Sequence, residues 1–186
     1  MKNIGTKNLE TERLVLRKFV PSDYIKAYEN YCTDENVTRY MTWFPHKDIQ
    51  ETESVISMWE EGYSKANFYQ WAILLRQIDE PIGSIGVVEM DEDAKSCELG
   101  YCIGKPFWHQ GYTSEAVNYV IKFLFEQVKF EKITARHDVR NPNSGAVMMK
   151  CGMKYVTTRI NIGQTKEGEP LSCAYYEISR EEYFSR

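Results

Sequence analysis

The chain of 186 residues has the length of one domain, and it is read as a single domain over residues 1–186 with its core at about residues 9–180. Hydrophobic residues at 42% and charged residues at 27% exclude a disordered chain, and a formal net charge of −4 without any basic run excludes a protein that grips nucleic-acid phosphates. The five cysteines, Cys32, Cys97, Cys102, Cys151 and Cys173, form no CxxC pair and no Cys/His metal spacing, so no metal site is expected and they read as reduced, mostly buried residues of a cytoplasmic protein.

Residues 1–9 lack the apolar core of a signal peptide, and no stretch is long and apolar enough to predict a membrane span. Arg13 to Arg17 alternates in polarity and predicts a first strand. Pro21-Ser22-Asp23 opens a helix, capped by Ser22 or Asp23, that carries Tyr24, Ala27, Tyr28 and Tyr31 at helical spacing. Asp34 caps a short second helix ending near Met41. Thr42 to His46 is an aromatic loop, and Ile49 to Lys65 is a long helix. Phe68–Arg76, Pro81–Met90 and Lys95–Ile103 are three strands joined by tight polar turns, hence consecutive and antiparallel.

The pattern then changes. Lys105 to Gly111 is a Pro/Gly connection, and Ser114 to Val128 is a helix with Ala116, Val117, Val120, Ile121, Leu124 and Phe125 facing inward. Lys132 to Asp138 is a buried strand. Asn141 to Ser144 begins a helix that stops at Cys151-Gly152, with glycine as its C-cap. Met153–Ile162 and Leu171–Ser179 are two last strands around a turn. The strand–helix–strand–helix stretch predicts one parallel pairing inside an otherwise antiparallel sheet, a mixed α/β architecture.

A strand, a Gly turn and a helix start in succession present unsatisfied N–H groups and a partial positive charge, a ready place for phosphate. The segment Trp108-His109-Gln110-Gly111-Tyr112-Thr113-Ser114-Glu115-Ala116 is that arrangement, and the alternative is a plain loop with a helix cap. It is neither a P-loop, since Gly-Lys-Ser/Thr is absent, nor a dinucleotide fingerprint.

Read with the strand before it, Glu98-Leu99-Gly100-Tyr101-Cys102-Ile103 through Ala116 resembles the central motif of the GNAT acetyltransferase superfamily. It is most similar to the RimJ/RimL type, which acetylates ribosomal-protein N-termini. Asn141-Pro142-Asn143-Ser144 with Lys150-Cys151-Gly152-Met153, and Leu9 to Arg17 at the first strand, add two further matches in the same order. Trp108 stands where Gln or Arg is usual in the superfamily, Thr113 where Gly or Ala is usual, and Met153 where Phe is usual. The resemblance implies a GNAT-like fold: a twisted, mostly antiparallel sheet, flanked by helices, whose parallel pair splays to admit acyl-CoA. It implies direct transfer of an acetyl group from acetyl-CoA to a primary amine, a protein N-terminus or a small molecule, in a ternary complex. A non-catalytic acyl-CoA-binding module is the alternative. The partner is an amine-bearing acceptor, not nucleic acid or membrane, and the chain is a monomer or a homodimer, with Ala174-Tyr175-Tyr176 as a possible dimer edge.

By that resemblance the main chain of Tyr101, Cys102 and Ile103 pairs with the pantetheine arm, and the Ile103 N–H polarises the thioester. The N–H groups of His109, Gln110, Gly111, Tyr112, Thr113 and Ser114 hold the pyrophosphate. Asn141 bonds a pantetheine amide, with Asn143 and Ser144 beside it. Glu98 has two readings, a general base acting through water or a structural acid paired with a cationic neighbour. Ser144 also has two, a helix cap or a donor to the leaving thiolate, and Asn143 could equally be the cap. The superfamily's usual tyrosine donor falls at Met148, which cannot donate. Glu115 reads as a complement to the helix dipole, and His109 as a positioning or exposed residue. Tyr40, Trp43, Phe44 and Glu98 are expected at the acceptor site. Ordinary core packing is the other reading for Trp43 and its loop.

Overall fold

The computed structural model describes residues 1–186. Eight strands form one sheet in the order β1-β2-β3-β4-β5-β6-β8-β7: β1 Leu9–Glu10, β2 Leu14–Arg17, β3 Gln70–Leu75, β4 Glu80–Asp91, β5 Ser96–Ile103, β6 Lys132–Asp138, β7 Lys154–Gln164 and β8 Pro170–Ser179. Every neighbouring pair is antiparallel except β5 and β6. That parallel ladder is short. It runs from Ser96 opposite Lys132 to Leu99 opposite Ala135 and stops, although β5 continues to Ile103 and β6 to Asp138. The sheet therefore has an open seam in its middle, beside Tyr101 to Ile103.

Helices cover both faces. On one face, α4 (Tyr112–Phe123, continued by a wider π turn over Leu124–Val128) and α5 (Pro142–Lys150) pack on the main core. The 3.6-residue apolar period of α4 places Ala116, Val117, Val120 and Ile121 at zero or near-zero exposure. Each fully buried Val, Leu, Ile or Phe stabilises the fold by about 1.5–3 kcal/mol, so this helix is held by its inner face. The other face carries α1 (Asp23–Ala27, continued by a π turn to Cys32), α2 (Glu35–Thr38) and α3 (Ile49–Gly62), around Phe19, Tyr31, Ile56 and Leu74. A short α6 (Arg180–Phe184), closed by a Ser179/Glu182 capping box, ends the chain and was not expected from the sequence.

The helix signals mostly act as expected. Asp34 caps α2 by accepting the Asn36 N–H, and Gly152, at φ +78°, ends α5. Ser22 is the N-cap residue of α1 but makes no side-chain capping bond, and Asp23 does not cap it. Asp23 instead takes two bonds from the Arg17 guanidinium and one from the Val20 N–H, joining α1 to β2. The expected dimer edge is also corrected. β8, with Tyr175 and Tyr176, lies inside the sheet because β7 pairs along its outer side. All five cysteines are buried and unpaired, and no helix is long and apolar enough to cross a membrane.

Candidate active site

The turn after β5 forms a cradle whose helix-start geometry suits an anion. Gly111 has φ +82°, a left-handed conformation that glycine adopts without penalty, and α4 starts immediately after it at Tyr112. The helix thus begins two residues earlier than its sequence pattern suggests, and the first-turn N–H groups belong to Tyr112, Thr113 and Ser114. A short 3₁₀ turn (Lys105–Phe107) leads in. The Trp108 indole N–H donates to the Ile103 carbonyl at 2.8 Å, and the Gln110 amide donates to the Pro106 carbonyl at 2.9 Å, so the loop is tied to the end of β5.

Arg13 braces the cradle from β2. Its guanidinium donates to the Gln110 carbonyl at 2.9 Å and stacks over the Tyr112 ring at 4.5 Å. Glu115 receives the Arg13 Nε at 2.7 Å, the Arg13 main-chain N–H at 3.0 Å and the Thr11 hydroxyl at 2.5 Å. Although burial alone would raise it, these donors hold the Glu115 carboxyl below its ordinary pKa. Glu115 is therefore more than a dipole complement: it fastens the helix start to β2.

The cradle opens into a cleft of about 420 Å³ that brings together Tyr40, Tyr101, Cys102, Ile103, His109, Gly111, Thr113, Ser114, Asn141, Asn143 and Ser144. Main-chain direction distinguishes the β5 residues. Gly104 N donates to the Ile82 carbonyl at 2.8 Å, so residues 82/104 and, by alternation, 84/102 are the bonded pairs of the β4–β5 ladder. Tyr101 and Ile103 then point their N–H groups away from β4 and into the seam. Cys102 turns its main chain toward Ser84, and its thiol lies 3.5 Å from the Ser84 hydroxyl, so it offers the cleft a side chain rather than a main-chain partner.

On the far wall, α5 has Asn141 as its N-cap residue, with no side-chain capping bond, and Ser144 lies in the first turn. Neither Ser144 nor Asn143 is the cap. The Ser144 hydroxyl instead lies 3.1 Å from the Tyr101 hydroxyl.

Gln110 and Tyr112 flank Gly111 in the main chain; the Gln110 side chain is turned to Pro106, and the Tyr112 ring is buried under Arg13. Two expected residues lie elsewhere. Trp43 packs against the smaller core with its ring 5.3 Å from His46, and Phe44 is exposed beneath Lys166; neither lines the cleft. Their loop is drawn away because the nearly buried Lys166, at the β7–β8 turn, donates to the carbonyls of Thr38 at 2.5 Å and Trp43 at 2.9 Å. The wall opposite the cradle is made by α2 and the residues after it: Asn36, Val37, Arg39, Tyr40 and Met41.

Glu98 is on β5 outside the cleft lining, five residues before Ile103, about 16 Å along the strand. Its carboxylate meets the Arg136 guanidinium at 3.1 Å. Burial pushes its pKa up, nearby Glu89 pushes the same way, and Arg136 opposes them. Lys150 is a site residue that the sequence pattern does not single out. It lines the cleft, with its ammonium 3.9 Å from the point where a Gly111 side chain would begin. Its signal was present: the last turn of a helix that starts at Asn141 and the start of α4 face one cleft, but only the packing of α5 on α4 says so.

An open seam beside a helix-start cradle, in a mixed sheet with one parallel pair, is the arrangement expected of an acetyl-CoA-dependent N-acetyltransferase. Residues 13–154 match the family model for the acetyltransferase (GNAT) domain, and the chain belongs to that family. A Bacillus licheniformis protein named uncharacterized N-acetyltransferase p20 is 30% identical over 138 residues, covering 74% of this chain and 77% of that protein. A GNAT-family acetyltransferase from Bacillus anthracis superposes with a TM-score of 0.83 at 23% identity, covering 95% of this chain and all of the other. The microcin C7 self-immunity acetyltransferase MccE, solved with acetyl-CoA and AMP, superposes with a TM-score of 0.80 at 17% identity, over 91% of this chain and 93% of that one. These two structures share the fold.

Proposed function

We propose that this enzyme transfers the acetyl group of acetyl-CoA to the α-amine of a peptide or of a small amine, by direct attack with both substrates bound. The observation that supports this most is the single cleft joining the Gly111 cradle, the β5–β6 seam and the tyrosine-bearing wall after α2. In this reading, the N–H groups of Gly111 to Ser114 and the Lys150 ammonium hold the pyrophosphate, while the seam-facing groups of Tyr101 and Ile103, with Asn141, align the pantetheine arm. The Ile103 N–H polarises the thioester carbonyl, and the Ser144 hydroxyl donates a hydrogen bond to the leaving sulfur. Tyr40 and Arg39 form the acceptor wall.

The distance of Glu98 from the seam favours an α-amine. An α-amine with a pKa of about 7.7–8.0 is roughly one-tenth neutral at pH 7, whereas a lysine amine at about 10.4 is less than a thousandth neutral. An acceptor that already supplies neutral amine needs only a remote base, acting through water from Glu98. The test is thiol release from acetyl-CoA over free-N-terminus peptides, amino acids, polyamines and lysine side-chain analogues. Turnover on α-amines supports the reading. Turnover restricted to lysine analogues refutes the acceptor assignment, and acetyl-CoA binding without turnover on any amine makes the chain a binding module.

A further inference from the structure

Two hydroxyls meet in the cleft wall with no solvent-facing purpose. The Tyr101 hydroxyl, reached from β5, lies 3.0 Å from the Ser144 carbonyl, to which it donates, and 3.1 Å from the Ser144 hydroxyl oxygen. The two acceptors are nearly equidistant, and both belong to one residue in the first turn of α5. A serine hydroxyl at such a position ordinarily turns among its staggered rotamers or bonds its own helix. Here no hydrogen bond ties it to the helix, and a phenol on a different element fixes it. The phenol is itself held by the strand, because Tyr101 alternates with the core residues Leu99 and Ile103 and packs against the same core.

We infer that Tyr101 is a positioning residue for Ser144, holding its hydroxyl so that it donates to the sulfur that leaves acetyl-CoA. This rests on the reading of the cleft given above. The arrangement needs no proton transfer between the two side chains. At rest the tyrosine O–H donates to the Ser144 carbonyl and its oxygen accepts from the Ser144 O–H. When negative charge develops on sulfur, the Ser144 O–H turns to it and the tyrosine O–H swings to the Ser144 oxygen. The tyrosine's bond to the Ser144 carbonyl is given up and one to the thiolate is gained, so each arrangement has two bonds; each oxygen keeps its own proton, and the two aligned hydroxyls polarise one another. Burial raises the phenol's pKa, which keeps it neutral and protonated in both arrangements.

The test uses the full chain with CoA itself, so that no acceptor need be known. The ultraviolet absorbance of the thiolate, followed against pH, gives the acidity of the bound CoA thiol in wild type, Tyr101→Phe, Ser144→Ala and the double variant, with CoA affinity and thermal unfolding measured beside it. Tyr101→Phe keeps the ring and the main-chain groups, and should make the bound thiol about three- to tenfold less acidic, the loss of one modest hydrogen bond. Ser144→Ala should do at least as much, and the double variant should match Ser144→Ala alone. A wild-type thiol acidity retained in Tyr101→Phe, or effects of the two changes that add, would overturn the positioning role while the site stands. Failure of CoA to bind, or an unaltered thiol in Ser144→Ala, would instead overturn the reading of the cleft on which it rests.

Discussion

Replacing Glu115 with alanine tests the claim that the cradle is fastened to β2. The carboxylate receives the main-chain N–H of Arg13, the Thr11 hydroxyl and the Arg13 Nε–H, and forms an ion pair with the same guanidinium. The Arg13 N–H has no second partner among these bonds, so leaving it unpaired costs about 1–3 kcal/mol. The Thr11 hydroxyl retains the Leu14 carbonyl at 3.2 Å and loses less. The guanidinium is 40% exposed, so its ion pair adds at most about 1 kcal/mol. The sum is about 3 kcal/mol. For a domain of this size that corresponds to a urea midpoint lower by about 1 M, or a Tm lower by roughly 6–12 °C.

Acetyl-CoA affinity should fall with stability, because the same contacts aim the first turn of α4. The pH dependence has a definite sign. The folded pKa of Glu115 is depressed, so its contribution is complete above the unfolded value of about 4.3 and disappears as pH falls through the lower folded value. Wild type and variant should therefore differ most at neutral pH and converge in acid. A variant with an unchanged urea midpoint and unchanged acetyl-CoA affinity at neutral pH would refute the clamp.

Glu98→Gln should remove one of two ionisations on the acidic side of kcat/KM against pH, leaving that of the acceptor amine at about 7.7–8.0; since burial raises this carboxylate, its own ionisation should lie above the usual range of about 4.3, with activity falling as the pH drops through it, and a variant that keeps both would make Glu98 purely structural. Lys150→Met should weaken acetyl-CoA binding about tenfold, close to 1.4 kcal/mol, with a smaller salt dependence than wild type, as isothermal titration at two ionic strengths would show. Gly111→Ala meets no atom nearer than Arg13 Nη2 at 3.4 Å, so its effect should come from the backbone alone: about 1–2 kcal/mol in denaturant unfolding for holding alanine at φ +82°. Lys166→Met should free the β7–β8 turn, giving faster amide exchange over residues 165–169 with acetyl-CoA affinity unchanged; equal exchange would show that its two carbonyl contacts do not hold the turn.

Local pattern made much of this protein legible. Alternation placed Cys97, Leu99, Tyr101 and Ile103 on one face of β5, and the apolar period of α4 identified its buried stripe, because both signals depend only on covalent geometry and the exclusion of apolar groups from water. The Gly turn before α4 and the Asn-Pro-Asn-Ser start of α5 were readable for the same reason, and together they located the cleft. What joins separate segments was not readable. Arg13 and Glu115 are 102 residues apart, Tyr101 and Ser144 are 43 apart, and Lys166 reaches back to Thr38 across 128. No periodicity encodes such pairs, since each depends on which strands become neighbours and where a ladder ends. The tertiary structure alone moved Trp43 and Phe44 off the cleft, paired Glu98 with Arg136 outside the cleft lining, and turned Ser144 from a candidate helix cap into one half of a hydroxyl pair.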